Sequence, residues 1–330
     1  MSSETSIEWT NASWNPTTGC DRVSPGCDHC YALTLAKRLK GMGAAHYQND
    51  GDPSTSGPGF ASTMHPDSLG WPLKRRKPTK IFVNSMSDLF HDDVTVEFIA
   101  RVFAVMAVTP RHTYQILTKR HARLRSLLGG QGRVEFLLWY SQALGELLAT
   151  YPGLDREPPV WPLPNVHLGV SVEDQKWADI RVPALLATPA AVRFLSMEPL
   201  LGPVDLGHML ALDEFDRGIG WVIVGGESGS GARPMHPDWV RLIRDQCQAA
   251  GVPVFFKQFG EWAPVPSGEA RLTDRWVNRD GSTREVAGAT SATVFAGAQV
   301  MRKVGKKAAG RTLDGRVWSE FPAAATAGAS

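Results

Sequence analysis

The sequence predicts an α/β fold built on a parallel sheet, either closed as a full or partial (β/α) barrel or laid open as a doubly wound sheet. From about residue 80 onward, short β-branched or aromatic runs recur, each ending in polar residues and each followed by a helical pattern. That rhythm is the signature of βαβ units, whose strands are buried on both faces. The 330 residues are 43% hydrophobic and 21% charged, which is enough apolar side chain for one large core. Barrels of this class commonly exceed about 200 residues as one domain.

In chain order, a short strand near residues 7–13 comes first. Strands follow at 80–84 (KIFVN), 113–117 (TYQIL), 165–170 (NVHLGV), 191–195 (AVRFL), 221–224 (WVIV) and 253–256 (PVFF). Residues 96–107 place Phe98, Ile99, Val102, Phe103 and Met106 on one face at helical spacing, as a crossover helix requires. Residues 237–250 begin with a proline and stop before Gly251, with Trp239, Leu242, Ile243 and Cys247 on one stripe. Cys247 is thereby read as a core residue. Two stretches break the rhythm: 125–162, with an amphipathic helix and a Pro-rich return, and 264–300, rich in Gly, Ala, Ser and Thr. Both read as insertions or lids in a single domain spanning 1–322, with a disordered tail at 323–330.

The net charge is +2 and the pI about 8.3, so no global field demands a nucleic acid or a membrane as partner. The N-terminus carries no basic start with an apolar run, and no long apolar stretch occurs, so the expectation is a cytoplasmic chain without a membrane partner.

Three of the four cysteines crowd together as Cys20-x6-Cys27-x2-Cys30, in a loop that leads into a helix over 31–39. This is a poor disulfide framework and a good metal-ligand pattern. Three thiolates can hold three corners of a four-iron, four-sulfur (4Fe-4S) cluster and leave one iron open. The competing reading is a Cys3His zinc site completed by His29 or His46. A loop of inert thiols is the third.

A second signal lies at the carboxyl ends of the strands, where barrels and open sheets place their sites. Ser85 and Asp88, Lys119 and Arg120, Ser171 and Glu173, Glu198, Glu227, and Lys257 stand at six successive ends. Each alone is ordinarily a turn or a helix cap. Six in a row describe a polar ring around one cavity, suited to a zwitterionic ligand with ribose hydroxyls. The glycine-rich run 225–231 lacks the P-loop ending and is read as letting a bulky cofactor approach the sheet while Glu227 points inward. The basic run 302–311 and the eleven tryptophans allow a phosphate contact and base stacking, although a solvated face and core packing explain them equally.

The sequence resembles the phage-type three-cysteine family of phage and bacterial proteins. The resemblance is carried by Ile7 to Thr10 with Trp14 to Pro16, the cysteine loop, and the segments FVNSMSDLFH, YQILTKR, LGVSVEDQ, FLSMEPLLG, VIVGGESGSGARP and VFFKQFGE. More remotely it is similar to radical S-adenosylmethionine (radical SAM) enzymes such as spore photoproduct lyase, with cysteines after the first strand of a partial barrel. It departs from them in a first cysteine gap of six residues instead of three, and in having His29 where an aromatic commonly stacks on adenine.

The resemblance implies a 4Fe-4S cluster on Cys20, Cys27 and Cys30, S-adenosyl-L-methionine as cofactor, and a reducing electron donor. A 5′-deoxyadenosyl radical would then modify or repair a substrate, with a nucleic acid or nucleotide as the expected class. On this reading Lys119 or Arg120 pairs the methionine carboxylate. Ser85, Asp88 or Glu227 takes the ammonium, Ser171 and Glu173 accept the ribose hydroxyls, and Tyr31 or His29 faces the adenine. Glu198 and Lys257 handle the substrate. Two other classes stand beside it: a zinc-stabilised nucleic-acid-binding protein, and a metal-independent barrel hydrolase using Glu198 and Glu227 as acid and base. The sequence assigns no oligomeric state.

Overall fold

A computed structural model of the chain describes residues 2–154, 160–210, 218–286 and 297–323. The principal sheet has eight strands: β1 (Ser2–Glu4), β2 (Ala12–Trp14), β3 (Lys80–Val83), β4 (Thr113–Thr118), β5 (Val166–Ser171), β6 (Val192–Met197), β7 (Trp221–Gly225) and β8 (Val254–Gln258). Their spatial order is their chain order. Only β1 pairs antiparallel, and the seven strands from β2 to β8 are parallel.

That order decides between the two sheet classes. A doubly wound sheet reverses direction once, sending helices to both faces. Here every step goes the same way, and β-crossover-β connections are almost always right-handed, so the crossovers fall on one face. The sheet curls around its other face as a seven-strand parallel half-barrel.

Side chains sort accordingly. Ile81, Val83, Tyr114, Ile116, Leu168, Val170, Leu195, Met197, Val222 and Val224 join the core that includes the helices. Alternate positions Phe82, Phe194, Trp221, Ile223 and Phe255 cluster with Trp9 on the concave face. The period of two is visible strand by strand.

The helices are α1 (Tyr31–Gly41), α2 (Val96–Ala107), α3 (His121–Gly129), α4 (Arg133–Thr150), α5 (Gln175–Leu186) and α6 (Pro237–Ala249). In α6, Trp239, Ile243 and Cys247 are buried, but Leu242 is 41% exposed and lies off the stripe assigned to it. The strand expected at 7–13 lies at 12–14, displaced toward the C-terminal end of that window, and β1 precedes it.

Neither interruption is a plain loop. α4 packs on α2, with the Phe103 and Phe136 rings edge to face at 5.4 Å and Trp161 against both, so the 125–162 stretch thickens the outer helical layer. Within 264–300, strands Arg275–Val277 and Thr283–Glu285 join Trp262–Val265 and Gln299–Lys303 in a four-stranded antiparallel sheet. Residues 324–330, which include most of the expected disordered tail, lie outside the described residues, as do 155–159 and 287–296. Among the described residues no helix is long and apolar enough to cross a membrane.

Candidate functional site

The cysteine loop hangs over the carboxyl ends of the parallel strands and is pinned along its length. Gly19 N–H donates to the Met86 carbonyl at 3.0 Å, Cys20 N–H to Phe60 at 3.3 Å and Arg22 N–H to Thr55 at 2.8 Å. Asp21 accepts from the Thr55 hydroxyl at 2.5 Å and meets His91 Nε2 at 2.8 Å. Burial would raise the Asp21 carboxyl, but those two partners outweigh it and hold it below the ordinary value. A 3-10 turn at Pro25–Cys27 follows, and Cys30 is the N-cap of α1, where the helix dipole favours negative charge on sulfur.

All four cysteines are free thiols. Cys20, Cys27 and Cys30 open onto one cavity of about 690 Å³, whereas Cys247 is fully buried in α6. Burial, and then the charge of Asp88, push the Cys20 thiol up, so a metal bound there would displace a proton.

The same cavity collects Tyr31, Ser85, Asp88, Lys119, Ser171, Glu198, Glu227 and Lys257; Arg120 and Glu173 stand behind its wall. The partners of these residues divide them into two groups.

Glu173 has no exposed side chain. One of its oxygens accepts from the Ser24 hydroxyl at 2.6 Å and the other from Arg181 Nη1 at 2.7 Å. A Cβ on Gly26 would sit 2.5 Å from that carboxylate. Glu173, expected at a ribose, therefore braces the cysteine loop. Arg181 is itself fully buried and stacks on Trp177 at 3.9 Å.

Asp88 is likewise occupied: it accepts from Thr118 Oγ1 at 2.7 Å, Phe90 N–H at 3.0 Å and Lys119 N–H at 2.9 Å. Glu227 accepts from Arg233 Nε and Nη2 at 2.8 and 2.6 Å, and His29 Nδ1 lies 3.3 Å away. Burial would raise the Glu227 carboxyl, but the Arg233 hydrogen bonds hold it low. Arg233 continues to the Pro25 carbonyl at 2.8 Å and to Asp28 at 3.3 Å. The glycines of the 225–231 run serve this packing: a Cβ on Gly226 would strike the Phe259 carbonyl at 2.1 Å, and one on Gly231 the His29 ring at 2.6 Å. At Gly226 and Gly231 it is the chain itself that makes the close approach.

The second group keeps capacity facing the cavity. Lys119 Nζ reaches Ser171 Oγ at 3.0 Å and lies 3.7 Å from Glu173. Burial would lower this amine, but the Glu173 and Cys27 charges outweigh it and hold it raised. Asn84 sits in the left-handed region at φ 65°, with Nδ2 on Thr17 Oγ1 at 2.6 Å and a buried, unpartnered Oδ1. A residue held in that conformation at a strand end is a common mark of a ligand clamp. Glu198 and Lys257 pair at 2.8 Å, with Gln258 Nε2 at 3.3 Å. Ser85 exchanges hydrogen bonds with Asn15 at 3.2 Å, and its carbonyl accepts from the Tyr31 hydroxyl. Arg120 lies 3.5 Å from Asp92.

Sequence reasoning missed Ser24, Asn84 as an acceptor, Arg181 and Arg233. Only Arg233 carried a signal, as the cation that closes the glycine-rich run. The Cys3His zinc arrangement is not assembled: among the described residues no group of three ligand atoms within 4.8 Å joins His29 or His46 to the cysteines, and His29 Nδ1 lies 3.3 Å from Glu227. The basic run is largely used internally. Arg302 pairs with Asp274, Lys303 donates to the Ser230 carbonyl, Lys306 lies 3.6 Å from Glu8, and Arg311 donates to Ser319 at 2.7 Å. Trp14, Trp221, Trp239, Trp262 and Trp318 are buried in the core, which leaves them unable to stack on bases, while Trp9, also buried, lines the cavity.

Among curated proteins none matches this chain. Two solved structures are similar to it at low identity. Spore photoproduct lyase complexed with dinucleoside spore photoproduct is 11% identical with a TM-score of 0.37, covering 74% of this chain and 63% of that one. A cysteine-to-serine mutant of spore photoproduct lyase is 12% identical with a TM-score of 0.38, covering 86% and 70%. The chain thus spans less than two thirds of the first of these, and such values leave the reading of the site to its own geometry. The match that covers most of the chain is to a family, over residues 4–322, and the chain belongs to it: DUF5131, described as protein of unknown function.

Proposed function

We propose that this chain is an iron-sulfur enzyme of the radical S-adenosylmethionine type, with a 4Fe-4S cluster on Cys20, Cys27 and Cys30. The observation that carries the reading is the convergence of three free thiols from one loop on a single cavity walled by unsatisfied polar groups. The donor set suits iron and sulfide. Among the described residues, three His, Cys, Asp or Glu ligand atoms come within 4.8 Å of one another only at His46, His65 and Asp67. At least one pair of the three sulfurs therefore lies beyond 4.8 Å, wider than the roughly 3.8 Å between thiolates on a tetrahedral zinc. A cluster spaces its cysteines further apart.

Bound there, cluster and S-adenosylmethionine would together supply one-electron reductive chemistry and a 5′-deoxyadenosyl radical able to take hydrogen from a substrate. The protein binds, orients and keeps out water. Lys119, raised and held by Ser171, offers a cation to the cofactor carboxylate. Asn84 Oδ1 is the acceptor for the ammonium, a role the carboxylates of Asp88 and Glu227 are too engaged to fill. Tyr31, latched to the Ser85 carbonyl, forms the wall beside Cys30, and Trp9 and Phe82 close the floor. Glu198 and Lys257 face the space left for substrate, where a polar group entering between them meets both charges. In the hydrolase alternative, Glu227, held low by Arg233, is excluded as the protonated acid.

Anaerobically prepared protein should be brown, with about four irons and four sulfides per chain. Serine at Cys20, Cys27 or Cys30 should abolish the colour, and serine at Cys247 should preserve it. The reduced protein should change its electron paramagnetic resonance spectrum on addition of S-adenosylmethionine, and Asn84→Ala should weaken that response. A colourless protein with one zinc, or colour lost in Cys247→Ser, would overturn the assignment.

A further inference from the structure

We infer that His46, His65 and Asp67 form a second metal site, for a divalent cation of the zinc class, outside the cysteine cavity. None of the three residues lines that cavity. They come from separate pieces of the segment between α1 and β3. His46 sits in the 3-10 turn Ala45–Tyr47, His65 follows the strand Thr63–Met64, and Asp67 lies in the 3-10 turn Pro66–Ser68. One ligand atom from each lies within 4.8 Å of the other two. A tetrahedral zinc with nitrogen and oxygen ligands needs roughly 3.3 Å between them, so the ligand atoms must draw together and one ring must turn for the site to form.

The hydrogen bonds around His65 prepare it as a ligand. The Thr18 hydroxyl donates its single proton to the His46 carbonyl at 3.1 Å. With that bond made, its 2.8 Å contact with His65 Nε2 is one in which the imidazole N–H donates. This tautomer leaves Nδ1 as the nitrogen with a lone pair, which is how metal-ligating histidines are oriented by their outer partners.

His46 has no settled partner for either nitrogen. Its Nδ1 is buried without a hydrogen bond, and its Nε2 lies 3.7 Å from Asp67, beyond hydrogen-bond reach. The two imidazoles lie face to face, centroids 3.9 Å apart and 10° from parallel. Parallel rings aim their lone pairs side by side, so coordination turns one ring out of the stack; His46, 25% exposed, is the ring with solvent beside it.

Two imidazoles and one carboxylate with an open position suit zinc or cobalt(II), whereas the thiol loop suits iron. The metal would brace the segment that forms one wall of the cavity through Tyr47 and Phe60. The inference is independent of what the cysteines hold.

The test is a cobalt(II) titration of the full-length, chelator-stripped protein, read by visible absorption and metal content. Cys27→Ser, with the thiol set broken, should still take up one cobalt. His46→Ala should weaken that cobalt by about 100-fold or more, and Thr18→Val by about 10- to 100-fold, as loss of an outer partner does. Asp67 is 74% exposed, so Asp67→Asn keeps the fold and should also weaken binding. Unchanged affinity in both His46→Ala and Asp67→Asn would overturn the site, as would loss of all cobalt binding in Cys27→Ser.

Discussion

Glu173 divides its two oxygens between Ser24 of the cysteine loop and Arg181 of α5. Both partners of the ion pair are fully buried, so removing the carboxylate strands a guanidinium in the interior, typically at a cost of about 3–5 kcal/mol. Glu173→Ala should therefore lower the unfolding midpoint and deplete bound iron together; a variant with wild-type stability would show that the pair does not anchor the loop. Arg233 makes the complementary grip from the other side. Its side chain is 30% exposed, so Arg233→Ala should leave the fold intact while a chelator strips iron about tenfold faster, the usual size of an outer-partner effect. Unchanged stripping would reduce Arg233 to a surface contact.

At the level of elements, the outer helices are held by local chemistry as well as by the core. Thr95 Oγ1 accepts from Phe98 N–H at 3.2 Å and caps α2. The side chains of α2 that pattern analysis selected are all buried. Thr95→Ala should cost about 1 kcal/mol, read as a shift of the urea midpoint at constant slope. No shift would mean that core packing alone sets the helix start. Apolar periodicity exposed α2 because a one-sided helix repeats its burial every turn. The same signal misplaced Leu242, which sits at the edge of the α6 stripe, where exposure depends on what packs beside it. The four-stranded sheet within 262–303 stayed hidden because its strands are short and pair across intervening segments, as Trp276 does with Val300.

Across the whole molecule, the half-barrel covers both of its open edges. β1 pairs antiparallel to β2, while the Phe256 and Glu320 N–H groups exchange hydrogen bonds with Trp318 and Val254 along β8. Edge strands left open invite pairing with other chains. Phe321 then reaches across the floor to Lys80 at 3.8 Å. Beneath the cavity, on the concave face, His167 is 8% exposed, and burial followed by the charge of Lys80 pushes it down to about 4. Between about pH 6.5 and pH 4 the unfolded chain binds this proton and the folded chain does not, so stability falls as pH falls through that window. The contribution is on the order of 2–3 kcal/mol. His167→Gln should flatten the stability profile there; an unchanged profile would mean that the ring is protonated in the fold.

Local periodicity and turn chemistry determined six of the strands to within a residue or two, the helix 96–107 and, to within a residue, the helix 237–250, and singled out the three thiols that open onto one cavity. The regularity of βα units placed the polar residues at one end of the sheet. Each of these is legible because a strand or helix writes its burial into residues near one another. Whether the sheet doubled back or curled, and which polar groups face the cavity, only the tertiary structure decided. Ser24 meets Glu173 across 149 residues and Arg233 meets Pro25 across 208. Partners that far apart have no register in the sequence, and a carboxylate becomes a brace instead of a ligand contact only when the curl of the sheet delivers its partner.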